Sequence, residues 1–258
     1  MNSSSAEGAA QPPTRVVRPL SSLVACRAIQ RLAWRRVLRD KSTWISVVLA
    51  LFPVVFILVV GTRWSPQTAW YKVVNTLFVP LFAILPPLTL APLIAEEAQK
   101  QTYTFLWSRP IPRWTIVAGK AAVLFPLVML LLLVSAAACW WVLPPLPESG
   151  YQSILWLSVA VVLGVLAAGS VSITVGVFLP RQAVAAAVAY LLVVDLSVGS
   201  MPLSIASVSI SHHIKNIAGT GDADADRLTS MTWLLAITAL ALIATLWRVR
   251  RVELGKSS

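Results

Sequence analysis

Charge is scarce in this chain. Of its 258 residues only 12% are Asp, Glu, Lys or Arg, 57% are hydrophobic, and the mean hydropathy is +0.78. A soluble domain carries roughly 25% charged residues, so the composition excludes an ordinary soluble fold and indicates one membrane-embedded domain. Cysteine is nearly absent: Cys26 and Cys139 stand alone. The spans read below put them at opposite ends of the membrane, too far apart to bridge. No GxxxxGK[ST] segment occurs, so the chain lacks the usual phosphate cradle for ATP. It also lacks GxSxG, HExxH and zinc-spaced Cys/His sets. Residues 1–20 have no apolar run and are read as a polar cytoplasmic tail rather than a signal peptide.

Long apolar runs are what the chain does have. A membrane-crossing helix needs about 20 mostly apolar residues, and six segments qualify: 44–62, 73–95, 116–143, 154–179, 183–200 and 230–247. The runs are continuous rather than alternating, so helices are expected, since only helices or closed barrels satisfy the backbone in lipid. The expected fold is all-α and integral to the membrane: six spans over residues 21–252, with tails at 1–20 and 253–258.

The net charge of +11 would suggest nucleic acid in a soluble protein. Here the basic residues flank apolar runs, as membrane topology requires, so no nucleic-acid partner is expected. With the N-terminus inside, 17 of the 21 Lys and Arg fall on the cytoplasmic side; only Arg63, Lys72, Lys215 and Arg227 fall outside. An even number of spans puts both termini in the cytoplasm, which for a bacterial chain means the inner membrane.

Before the first span, Arg27, Arg31, Arg35 and Arg39 recur four apart, opposite Cys26, Ile29, Ala33 and Val37. That pattern suggests a helix in the headgroup plane with arginines toward anionic lipid; a plain positive-inside anchor is the alternative. The second span holds Pro80, Pro86, Pro87 and Pro92, each of which removes a backbone donor. The fourth carries small residues at every fourth position, Ala160, Gly164, Ala168, Ser172 and Gly176, which lets a neighbouring helix approach closely, within the subunit or across a dimer. The link 201–229 has an apolar half that either re-enters the membrane or lies on its outer surface.

Asp195 is the one carboxylate within a span, and an intramembrane ionisable residue is a functional candidate by default. It lies roughly 18 Å from the inner end of its span at helical rise. A hydrogen bond to a neighbouring helix or to the outer link is the structural alternative. His212 and His213 are adjacent, and their side chains are expected to diverge. The Asp-rich turn after Gly219 lacks the glutamate and flanking helices of an EF-hand. No cofactor or metal site is expected.

Residues 96–120, EEAQKQTYTFLWSRPIPRWTIVAGK, form a polar island between two apolar runs. Glu97, Thr102, Leu106, Pro110, Arg113, Ile116, Gly119 and Lys120 stand at the spacing of the first cytoplasmic loop of ABC-2 family permeases, the membrane subunits of type-2 ABC exporters. Gln101 departs from the family's usual glycine. The chain resembles that family over nearly its whole length. The resemblance implies a coupling helix that docks on an ATPase subunit, with Glu96, Glu97, Thr102, Leu106, Arg109, Pro110 and Arg113 in the contact segment. It implies a second copy of the chain and two copies of a separate ATPase that binds ATP and magnesium. This chain would then be no enzyme but the permease half of an exporter. The rivals are a non-transporting subunit that passes force or signal across the membrane, and a membrane enzyme built around Asp195 and the His212–His213 pair.

Overall fold

The computed structural model describes residues 41–60, 65–93, 113–143, 150–201, 204–221 and 226–254, with the isolated residues 30 and 34. The described residues are almost all helical, without strands. We number the helices α1 (Lys41–Val60), α2 (residues 66–90), α3 (Arg113–Val142), α4 (Gly150–Phe178), α5 (Ala183–Val198), α6 (Ile210–Ala218) and α7 (Arg227–Leu254). Five of them, α1, α2, α3, α4 and α7, are long and apolar enough to cross a membrane.

Side-chain contacts set the directions. Trp70 near the start of α2 meets Trp140 near the end of α3, edge to face at 5.8 Å. The Ser42 hydroxyl at the start of α1 donates to the Leu88 carbonyl near the end of α2. α1, α2 and α3 therefore alternate. α4 and α7 run parallel instead. Arg227 lies 4.7 Å over the Trp156 ring at one end, and Arg248 lies 5.5 Å over Phe178 at the other. Between them the Thr174 hydroxyl sits 2.9 Å from both the Ala241 carbonyl and the Thr245 hydroxyl. The chain must consequently travel back along the bundle between the end of α4 and the start of α7. From Trp156 to Phe178 that distance is roughly 33 Å at 1.5 Å per residue.

The return is broken. α5 consists of seven α, six π and three α residues, which span about 24 Å, less than the ~30 Å hydrocarbon core. The sequence reading of one span over 183–200 thus captures only the first piece. A 3-10 turn at Ser204–Val208 follows, and then α6, which lies against α4. Ile210 and Ser211 lie at the level of Ala168, and Ile214 lies at the level of Gly164, so α6 is antiparallel to α4 and continues the direction of α5. The apolar half of the 201–229 link is therefore folded into the bundle rather than spread over its surface.

Helix starts follow local chemistry. Ser65 caps α2 by accepting from the Thr68 N–H, with Pro66 in the first turn, where its missing N–H costs nothing. α2 thus begins seven residues earlier than its apolar run. Asp226 caps α7, accepting from the Leu228 and Thr229 N–H groups and from the Thr229 hydroxyl at 2.9 Å. That hydroxyl bond, with the Leu228 amide second, holds its carboxyl below the usual range. The cap is in place at neutral pH and is lost only as pH falls through this depressed value.

The proline-rich α2 lies innermost: 72% of its apolar window is buried, against 22% for α1 and for α7. Between its two α segments lies a π segment, Val73–Phe78, after which the Val79 N–H reaches five residues back to Val74. Pro80 follows this wide turn. Pro86 and Pro87 are buried within the helix. All five residues of the small-residue row on α4 are buried, and they serve packing within the chain. Gly164 touches Phe82 and Ile214, and Gly176 sits directly on the Ala91 carbonyl.

Gly176 is required by that approach, because a Cβ there would collide with backbone that cannot rotate aside. Gly176→Val is expected to cost about 1–3 kcal/mol, seen as a lower thermal-unfolding midpoint in detergent. Leu155→Ala on the exposed side should leave the midpoint near its starting value. An unchanged midpoint for Gly176→Val would contradict the close α2–α4 crossing.

Candidate functional site

Where α5 stops and α6 starts, one side chain joins them. Asp195 ends the π segment Tyr190–Asp195 and is buried. Its Oδ1 accepts from the Ile210 N–H at 2.7 Å and its Oδ2 from the Ser211 N–H at 2.9 Å. Its backbone carbonyl accepts from the Ser209 hydroxyl at 2.9 Å and lies 3.2 Å from the Ser211 hydroxyl. The first N–H groups of a helix have no partner within it, and a negative charge there is favoured by the helix dipole. Asp195 supplies both the acceptors and the charge, from another helix. Ser209 completes the cap by accepting from the His212 N–H at 3.3 Å.

The turn between the helices must pass very close to this group. A Cβ at Gly199 would displace the Ser209 and Ser211 hydroxyls from their bonds and crowd the Asp195 carbonyl. Beside the carboxylate lies a small cavity walled by Val79 and Phe82 of α2, Ala168 of α4, Leu191 of α5 and Ile210 and Ile214 of α6. Ala168 is ten residues from the end of α4, about 15 Å at helical rise, so the junction lies well inside the bundle rather than at its end.

The histidines on α6 are held individually. His213 Nε2 lies 2.7 Å from the Ser207 carbonyl; a carbonyl only accepts, so Nε2 carries the proton. Its ring stacks on Trp233 of α7 at 6.1 Å. His212 Nε2 is 3.0 Å from Asn216 Nδ2, so it accepts from that amide. The two imidazoles do not diverge as the sequence suggested but meet edge to face at 5.3 Å. Among the described residues no three His, Cys, Asp or Glu side chains gather as a metal-ligand set. Cys139 is a buried free thiol.

The other sequence-derived site is bounded rather than described. Glu96, Glu97, Thr102, Leu106, Arg109 and Pro110 lie outside the described residues, as do Arg27, Arg31, Arg35, Arg39 and Cys26. Arg113 begins α3. The two feet of the island are tied together. Lys120 Nζ on α3 donates to the Leu93 carbonyl just past α2 at 3.1 Å. Leu93 is buried with Leu90 and Ile173, and Val117 packs on them.

Sequence reasoning missed Ser209, Ser211 and Gly199 as partners of Asp195. The Ser-x-Ser before an amphipathic segment was a capping signal, but nothing in the sequence says that the acceptor would come from residue 195.

Removing the carboxylate leaves two buried N–H groups unpaired. Asp195→Ala is expected to destabilise the chain by about 3 kcal/mol, and Ser209→Ala by about 1 kcal/mol, both read as unfolding midpoints in detergent. A larger loss for Ser209→Ala than for Asp195→Ala would contradict this ranking.

Comparison with known proteins places these elements in a family. No curated protein matches the chain. The family described as ABC-2 family transporter protein matches residues 34–197, which takes in α1 to α4, the island 96–120 and α5 through Asp195. The chain belongs to the ABC-2 transporter family.

Proposed function

We propose that this chain is the membrane subunit of an ATP-driven exporter, whose ATP is bound and hydrolysed on a separate subunit. The observation that carries the reading is the island 96–120. It lies inside the family match, and its feet are clasped by the Lys120–Leu93 bond between the innermost helix and α3. A push on residues 96–113 would be delivered to α2 and α3 together. The contact segment is Glu96, Glu97, Thr102, Leu106, Arg109, Pro110 and Arg113.

The topology of this reading has six crossings, with α5 and α6 sharing the fifth. Discontinuous helices at mid-depth are tolerated where the broken backbone is buried in protein. Both termini and the island then lie in the cytoplasm, in agreement with the distribution of Lys and Arg. Two copies pair, and each engages one ATPase. ATP draws the ATPases together, the islands follow, and the helices rearrange.

A subunit that transmits force without transport would share every one of these features except a cargo path. The enzyme reading fares worse. The Asp195 carboxylate is engaged by two backbone amides, and both histidines hold structural hydrogen bonds.

Charge reversal tests the docking. Glu97→Lys or Arg113→Glu should abolish co-purification with the partner ATPase subunit, while leaving the chain's own unfolding midpoint unchanged. Retained assembly with full ATPase activity in both variants would contradict the proposal.

A further inference from the structure

Three features meet at the small cavity. The π segment of α2 ends just before Val79, and the π segment of α5 ends on Asp195 itself. A π turn holds one more residue than an α turn, so converting one to the other shifts everything beyond it; such turns gather at functional sites. The third feature is the break between α5 and α6. Among the described residues of the break, the one helical piece is the 3-10 turn Ser204–Val208. Among the described residues, Asp195 makes four bonds to the start of α6, two through its carboxylate and two through its carbonyl. On its other side α6 meets α4 at Gly164 and Ala168, where small residues leave room for Ile214.

We propose that the Asp195–α6 junction is a releasable latch. In the closed state seen here, the carboxylate holds the start of α6 against α5, and Ile214 fills the space between Gly164 and Phe82. When the π segments reset, Asp195 rotates with α5, its bonds to the Ile210 and Ser211 amides part, and α6 moves off α4. The amides and the Ser209 and Ser211 hydroxyls then face a solvated path, which replaces the bonds they lose. The latch itself is a property of this chain; that ATP drives its release rests on the exporter reading above.

Thiol labelling tests it. In a chain with Cys26 and Cys139 replaced by alanine, Ile214→Cys places a reporter at the buried face of α6. The probe is a water-soluble maleimide, applied to the chain purified with its ATPase. With Asp195 intact and no nucleotide, labelling should be slow. Asp195→Asn keeps the shape but turns an NH2 toward one of the two N–H donors, and it should speed labelling at least tenfold. Asp195→Glu, which keeps both acceptors, should fall between. ATP with vanadate should speed labelling of the chain that retains Asp195. Equal rates with and without Asp195→Asn would overturn the latch, even if labelling follows nucleotide. Faster labelling in Asp195→Asn without nucleotide dependence would uphold the latch and remove ATP as its drive. Should Asp195→Asn fail to assemble, Asp195→Glu decides: a rate equal to that of the intact chain overturns the latch.

Discussion

A backbone buried in lipid has no water to bond, and the break between α5 and α6 is where this chain meets that constraint most sharply. The start of α6 presents amides well inside the bundle that no residue of its own helix can satisfy. The Asp195 carboxylate satisfies two of them and the Ser209 hydroxyl a third. The rest of the bundle follows from this. Because α6 can begin well inside the bundle, the return path can be made in two pieces, and α4 and α7 can run parallel and be tied through Thr174 and Thr245. Because α6 is short and lies against small residues, α4 can serve α2, α5, α6 and α7 at once.

The same economy of side chains explains the proline-rich helix. α2 is the most buried of the long helices, and helix association in lipid relies on packing and hydrogen bonds rather than on water expulsion. Prolines and small residues leave room for close crossings, of which Gly176 on the Ala91 carbonyl is the tightest. A π segment lies just before Pro80, and π turns and prolines are both places where helices bend. The small cavity is lined by the α2 residues that follow its π segment, by Leu191 and Asp195 of the α5 π segment, and by the start of α6.

Much of this was legible beforehand, for physical reasons. Hydropathy marked the five long helices, because each must supply a continuous apolar surface. The every-fourth-residue row on α4 marked a close crossing, though not which helix would use it. Asp195 stood out because a carboxylate in a span needs a reason. Its partner was not legible, since a backbone amide has no letter in the sequence, and the break itself was masked by an apolar run that reads straight through residue 198. The histidine pair misled in the same way. Adjacent side chains on an ideal helix point apart, but Trp233 and the Ser207 carbonyl draw His213 round to meet His212 edge to face. Most of the charged island lies outside the described residues, and the bond between Lys120 and Leu93 at its ends had no signal in the sequence.

The account turns on whether the amides at the start of α6 are truly buried and bonded. Hydrogen–deuterium exchange of the chain in lipid nanodiscs measures this directly. Ile210 and Ser211, though they follow a turn and open a short helix, should exchange as slowly as the centre of α4. Exchange at the rate of an open loop would contradict the account, because Asp195 would then be holding nothing.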